Sequence, residues 1–237
     1  MDQRPSGELS ALLTDLYQLT MAACYFDQNM REEATFSLFI RKYPAQRSYF
    51  VAAGLSEVLE YLETLRFTDD DLAYLASTGL FPARFLDFLR GLRFTGEVQA
   101  LPEGSIFFVD EPILEVSAPI IEAQLVETFI INAISFQTMI ATKASRSVQA
   151  AAGRPLVDFS LRRTQGRDAG LKVARASYLA GFLGTSNVLA GKLYDIPIFG
   201  TMAHSYITSF PREIDAFRVF ARNFPTITTL LIDTYDN

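Results

Sequence analysis

Leu156-Val157-Asp158-Phe159-Ser160-Leu161-Arg162-Arg163-Thr164-Gln165-Gly166 reads as a short apolar strand that runs out into a polar, basic loop. Other stretches repeat the form. Gly184-Thr185-Ser186-Asn187-Val188-Leu189-Ala190-Gly191 is a small-residue loop, read as part of a short strand-and-helix unit. Ile196-Pro197-Ile198-Phe199 leads into Gly200-Thr201-Met202-Ala203-His204-Ser205-Tyr206, and Leu230-Leu231-Ile232-Asp233 is a further apolar run. The intervals 167–182 and 211–222 have helical spacing. Strands alternating with helices predict a parallel sheet with crossover helices, the opening of a β/α barrel or of an open sheet. Ligands in such folds gather at the C-terminal ends of the strands, where these polar loops fall.

Towards the N-terminus the pattern differs. Residues 10–29 carry a helical stripe (Leu12, Leu13, Leu16, Leu19, Met21, Ala22), with Ser10 or Thr14 as its cap. Residues 35–40 alternate as a strand, and 53–65 read as a helix. Thr68-Asp69-Asp70-Asp71 is a helix start with acids in the first turn, and Pro82 opens a further helix. Short apolar stretches at 94–100, 106–109 and 113–116 are parted by Pro102-Glu103-Gly104 and Asp110-Glu111-Pro112, which is turn chemistry. Pro119 begins a long helix that ends before Gly153-Arg154-Pro155. The change of character predicts an N-terminal α+β domain over 1–130 and the first part of a barrel over 131–237.

The chain has 237 residues, 49% of them hydrophobic and 20% charged, which is ordinary globular usage. A net charge of −6 without a basic tract argues against general nucleic-acid binding. A single cysteine, Cys24, rules out an intrachain disulfide and a Cys-rich zinc site; its apolar helical surroundings predict a buried thiol. Met1 to Ser10 lacks the basic and apolar regions of a signal peptide. The apolar stretch over 120–140 is interrupted by Glu122, Gln124, Glu127 and Asn132, too polar to span a bilayer. The expectation is a soluble, cytoplasmic protein without membrane partners.

His204 is the only histidine. It is open to the roles of base, nucleophile and satisfied core residue; a transition-metal site would have carboxylates alone for partners. Arg162 and Arg163 fit either a salt bridge beside a solvated cation or a clamp for carboxylate or phosphate. Phe159 is core or a stacking wall for a flat ring. The loop at 184–187 is a helix C-cap turn or a phosphate cradle, without a Walker lysine or dinucleotide spacing. Asp233 and Asp236 make either a solvated turn or a pair of carboxylates for Mg²⁺ shared with substrate phosphates.

With Leu12-Leu13-Thr14-Asp15-Leu16-Tyr17-Gln18-Leu19-Thr20-Met21, Thr142-Lys143-Ala144-Ser145-Arg146 and the four strand-and-loop stretches in place, the chain resembles the nicotinate phosphoribosyltransferases over essentially its whole length. The resemblance implies a type II phosphoribosyltransferase fold, an α+β domain followed by an irregular β/α barrel, in dimers that share active sites. It implies formation of nicotinate mononucleotide and pyrophosphate from nicotinate and phosphoribosyl pyrophosphate, with Mg²⁺ and with ATP hydrolysed through a phosphohistidine. By position, His204 would be that histidine. Phe159 would stack on the pyridine ring, with Tyr17 of a neighbouring subunit as the other wall. Arg162 would meet the nicotinate carboxylate or the ribosyl phosphate, and Asp15 and Ser205 would line the pocket. Ser186 stands where related nicotinamide enzymes resemble one another in carrying aspartate, so its neutrality implies preference for the acid. Asp233 is the expected metal ligand. Ser160 replaces a glycine common among family members. Measured against the family, the chain holds about half a barrel, which implies a second chain that completes it, a fragment, or a degenerate relative. A truncated or non-catalytic subunit that binds a pyridine or phosphoribosyl ligand is the other reading. A quinolinate-specific relative would need more basic residues than are present.

Overall fold

The computed structural model describes residues 9–235. The expectation for the leader over residues 1–8, and Asp236, lie outside them. Two compact units are present. The first takes the chain to Arg154 and adds Leu179–Gly181; the second is Pro155–Tyr178 with the segment from Phe182 onward.

Unit 1 contains α1 (Leu16–Asp27), β1 (Glu33–Leu38), β2 (Phe50–Val51), α2 (Leu55–Thr64), α3 (Asp69–Ser77), α4 (Ala83–Gly91), β3 (Glu97–Ala100), β4 (Ile106–Phe107), β5 (Leu114–Pro119) and α5 (Ile120–Ala151). The domain boundary expected after residue 130 falls inside α5, which runs on unbroken. β5 is the middle strand of an antiparallel sheet, β1-β5-β3, with Val116 opposite both Phe36 and Val98. Its Leu114, Val116 and Ala118 are buried while the residues between are not, the period of two that a half-buried strand requires. β2 pairs with β4, bringing Phe50 opposite Phe107.

α5 organises this unit. Its buried Thr142 and Thr138 accept the main-chain N–H groups of Val51 (3.0 Å) and Ala53 (3.3 Å), satisfying donors just where β2 leaves its partner. Tyr61 of α2 stacks on Phe129 of α5, ring centroids 3.8 Å apart and planes 10° from parallel. Burial raises the Tyr61 phenol pKa. Gly54 permits that approach: its φ is +104°, and a side-chain carbon there would come within 2.8 Å of the Ala133 carbonyl. By length and composition α5 is apolar enough to cross a bilayer, contrary to the sequence-based expectation. More than half of its most apolar window is buried, and Ile121, Val126, Phe129 and Ile130 belong to the core of unit 1, so it is placed as a core helix.

α3 starts with the capping box expected at Thr68, whose hydroxyl accepts from the Asp71 N–H while the Asp71 carboxylate accepts from the Thr68 N–H. α1 begins later than expected. Residues 10–14 form turns, with the Leu13 N–H on the Ser10 carbonyl and the Thr14 N–H on the Leu12 carbonyl, and neither Ser10 nor Thr14 caps the helix. Cys24 is exposed, not buried. The face that packs is Gln18, Leu19 and Ala22, because Gln18 meets a polar partner: its amide donates to Glu127 at 2.9 Å and accepts from Gln124.

Unit 2 holds β6 (Val157–Asp158), nearly all of α6 (Arg167–Leu179), β7 (Gly184–Thr185), α7 (Val188–Tyr194), α8 (His204–Thr208) and α9 (Glu213–Asn223). β6 and β7 are parallel, and Thr185 makes a further parallel bridge to Ile198. The strand expected over 196–200 is therefore reduced to that bridge. The strand expected over 230–233 does not form. A strand needs a neighbour for its backbone groups, and among the described residues none pairs with this run, whose Leu230 and Ile232 are exposed. Among the described residues the parallel segments do not close into a barrel.

Candidate active site at the parallel strand ends

The register Asp158–Thr185–Ile198 aligns three parallel segments side by side, so their exits, Phe159, Ser186 and Phe199, lie on one edge at neighbouring-strand spacing of about 5 Å. The contacts between segments are tight. The Thr185 N–H donates to the Pro197 carbonyl at 3.0 Å and the Phe199 N–H to the Thr185 carbonyl at 2.9 Å. Gly184 makes room for this: a side-chain carbon on it would overlap the Pro197 carbonyl and the Phe199 ring.

Phe159 is 49% exposed at the exit of β6, so its ring is not core. The chain then makes a single 3₁₀ turn, Leu161–Arg163, closed by the Arg163 N–H on the Ser160 carbonyl at 2.7 Å. Arg162 and Arg163 are both exposed and make no ion pair among the described residues. Two guanidinium groups on one tight turn beside an exposed ring can bind a flat anion. The Ser160 hydroxyl is buried and lacks a hydrogen-bond partner among the described residues. Ser186 is half-buried, its N–H held by the Asp158 carbonyl at 2.8 Å.

His204 does not end a strand. It is the first residue of α8, exposed, four residues beyond Gly200. Its Nδ1 lies 3.2 Å from Thr234 Oγ1, so the His204 segment and the stretch around Asp233 are brought together. Tyr206 fixes α8, donating to the Ala216 carbonyl at 3.0 Å and meeting Phe210 and Phe220 edge-on. Ser205 and Asp233 are exposed. At the start of α9, the Arg212 guanidinium donates twice to Asp215, at 2.7 and 2.8 Å, which lowers the Asp215 carboxyl pKa and raises that of Arg212. Among the described residues no group of three or more His, Cys, Asp or Glu could hold a metal ion. Asp233 has no such companions, and Asp236 lies outside the described residues.

Asp15 and Tyr17 belong to unit 1. Asp15 is the N-cap residue of α1, and its carboxylate accepts from the Thr128 hydroxyl at 2.9 Å. Tyr17 is 52% exposed.

Sequence reasoning passed over the polar residues beneath the loops. Asp158, Thr185 and Asn187 are all buried. The Asp158 carboxylate accepts from the Ser160 N–H (3.0 Å) and the Thr185 hydroxyl (2.8 Å). The Thr185 hydroxyl accepts from the Asn187 N–H (3.0 Å), and the Asn187 amide donates to the Gly170 carbonyl (3.2 Å). The signal was present: an acid inside the apolar run Leu156-Val157-Asp158-Phe159 needs buried donors.

Two family models match the chain: the nicotinate phosphoribosyltransferase N-terminal domain over residues 12–135 and the nicotinate phosphoribosyltransferase family over 155–236. The chain belongs to the nicotinate phosphoribosyltransferase family. It is 55% identical over 228 residues to a nicotinate phosphoribosyltransferase of Mycobacterium tuberculosis, covering 96% of this chain and 49% of the relative. With the Bacillus subtilis nicotinate phosphoribosyltransferase the identity is 42% over 227 residues, 95% of this chain and 46% of the relative. The crystal structure of human nicotinic acid phosphoribosyltransferase superposes with a TM-score of 0.75 at 43% identity, covering 83% of this chain and 40% of the human one. A Pyrococcus furiosus nicotinate-nucleotide pyrophosphorylase shares the fold, with a TM-score of 0.81 at 22% identity over 99% of this chain and 54% of that one. The chain thus has the type II phosphoribosyltransferase fold and spans about half the length of the curated relatives it matches.

Proposed function

We propose that this chain carries the pyridine-binding and phosphohistidine part of an ATP-coupled nicotinate phosphoribosyltransferase of NAD salvage, working in the cytoplasm. One observation carries the reading: in a chain of this family, adjacent parallel segments end at Phe159 and Ser186, with Arg162 on the next turn. In the reaction the pyridine nitrogen of nicotinate bonds to C1 of phosphoribosyl pyrophosphate. The C1–oxygen bond breaks and pyrophosphate departs with the electron pair. Phe159 would lie against the ring, and Arg162 would pair with the carboxylate or the ribosyl phosphate. Ser186 would admit the acid, where a carboxylate would repel it. Holding both reactants in line supplies the catalysis. His204 would take the γ-phosphoryl group of ATP, with ADP leaving. With Nδ1–H donating to the Thr234 hydroxyl, Nε2 would be the nitrogen that attacks phosphorus. Ser205 would line the phosphate end, and Asp15 and Tyr17 would come from a second copy in a homodimer. The barrel domain would begin at β6, after the end of α5. Mg²⁺ is expected with the phosphates, but Asp233 alone among the described residues does not form a site for it.

Incubation with γ-labelled ATP should give an acid-labile phosphate on the protein, absent from His204→Ala. An unlabelled wild type would count against the reading and favour a non-catalytic subunit that binds a pyridine or phosphoribosyl ligand. Ser186→Asp should raise turnover of nicotinamide relative to nicotinate; no rise at all would overturn the account of selectivity.

A further inference from the structure

We infer that Asp158 is a positioning residue that locks the Phe159–Arg162 turn to the Ser186 loop and so sets the affinity for the pyridine acid; this rests on the function proposed above.

Asp158 is only 5% exposed and takes part in no ion pair among the described residues. A carboxylate held away from water without a cation is expensive unless hydrogen bonds replace its hydration. Here the two carboxylate oxygens are divided between two segments. One accepts the Ser160 N–H, the first main-chain donor after Phe159; the other accepts the hydroxyl of Thr185, the residue before Ser186. The Asp158 main-chain carbonyl then accepts the Ser186 N–H itself. One residue therefore binds both loops that flank the proposed ring site. Thr185 extends the chain of bonds to Asn187, which is tied to α6 through Gly170 and caps α7 through the Ala190 N–H at 3.1 Å. β6 and β7 are only two residues long, so their own ladder is too short to fix the loops' relative register. The carboxylate supplies that constraint. Its bonds go to Ser160 and Thr185 and not to the side chains of Phe159 or Ser186, so its influence on a ligand passes through loop position, not through contact.

His204 stands apart from this lock. It lies on α8 and meets Thr234, outside the Asp158 bonds. Nicotinate affinity and histidine phosphorylation are therefore separable properties of one protein. In Asp158→Asn a single acceptor oxygen must serve two donors, and in Thr185→Val the hydroxyl is removed at nearly constant shape. Each should weaken nicotinate binding, measured by equilibrium dialysis of labelled nicotinate, by about ten-fold, the range for stranding one buried hydrogen-bonding group. Thr185→Ser keeps the hydroxyl and should bind within about two-fold of wild type. The rate of His204 labelling from ATP should stay within about two-fold in all three. Unchanged nicotinate affinity in both weakened variants overturns the inference. So does a parallel fall of binding and labelling, which is what a merely structural role gives. A wild type that neither binds nicotinate nor labels His204 instead sinks the proposed function, and this inference with it.

Discussion

Unit 1 closes over large side chains, and unit 2 over small ones. In unit 1 Phe50, Tyr61, Phe85, Phe107 and Phe129 are fully buried, and six-residue strands pair in register. In unit 2 the buried apolar residues include Ala174, Ala176, Ala190 and Ala216, with Val173, Ile196 and Ile207 as the larger ones. Its Phe159, Val188, Leu193, Ile198 and Phe199 are exposed, and its strands are two residues long. Unit 1 is held by buried apolar area, roughly 25 cal/mol per Å². Unit 2 makes up in hydrogen-bond connectivity, from Asp158 through Thr185 to Asn187, what it lacks in apolar bulk. Apolar burial and polar connectivity thus carry different shares of the two units' stability.

Three substitutions test that contrast. Phe129→Ala should have the largest effect. It removes the ring stacked on Tyr61 and should cost about 3–5 kcal/mol in urea unfolding; a loss under about 1 kcal/mol would show the aromatic core of unit 1 to be loose. Asn187→Ala removes both the α7 cap and the bond to Gly170, and about 1–2 kcal/mol should be lost. A loss as large as that at Phe129 would mean that unit 2 depends on its polar bonds as heavily as unit 1 does on its core. Val188→Ser should have the smallest effect. Val188 is 67% exposed, and the change should stay within about 0.5 kcal/mol. A larger loss would reveal that this surface is covered in solution.

Much of unit 1 was legible because its signals are local. Thr68 with Asp71 announces a capping box, Pro119 opens α5, and the alternation over Leu114 to Ala118 marks a strand. What failed depended on distant partners. Gln18 turns inward because Gln124 and Glu127 wait for it, which leaves Cys24 outside, against the apolar pattern. Leu230 to Ile232 has strand composition, but composition supplies no neighbour to pair with. In the candidate site, the loops bearing Phe159, Arg162 and Ser186 could be found as the polar exits of apolar runs. Asp158 was in plain view in the same run, yet its importance emerges only when Thr185 is seen beside it, twenty-seven residues on.

The crowding at Gly184 has an evolutionary and practical corollary. Because the carbonyl of Pro197 occupies the space that any other residue's first side-chain atom would claim, this position admits no alternative without prising the third segment off the second. A lone methyl group placed there would act as a wedge. It would push the Pro197 segment away while leaving Phe159, Arg162, Ser186 and His204 chemically intact, so a catalogue of tolerated variants should show a gap at this glycine as deep as any at those four residues.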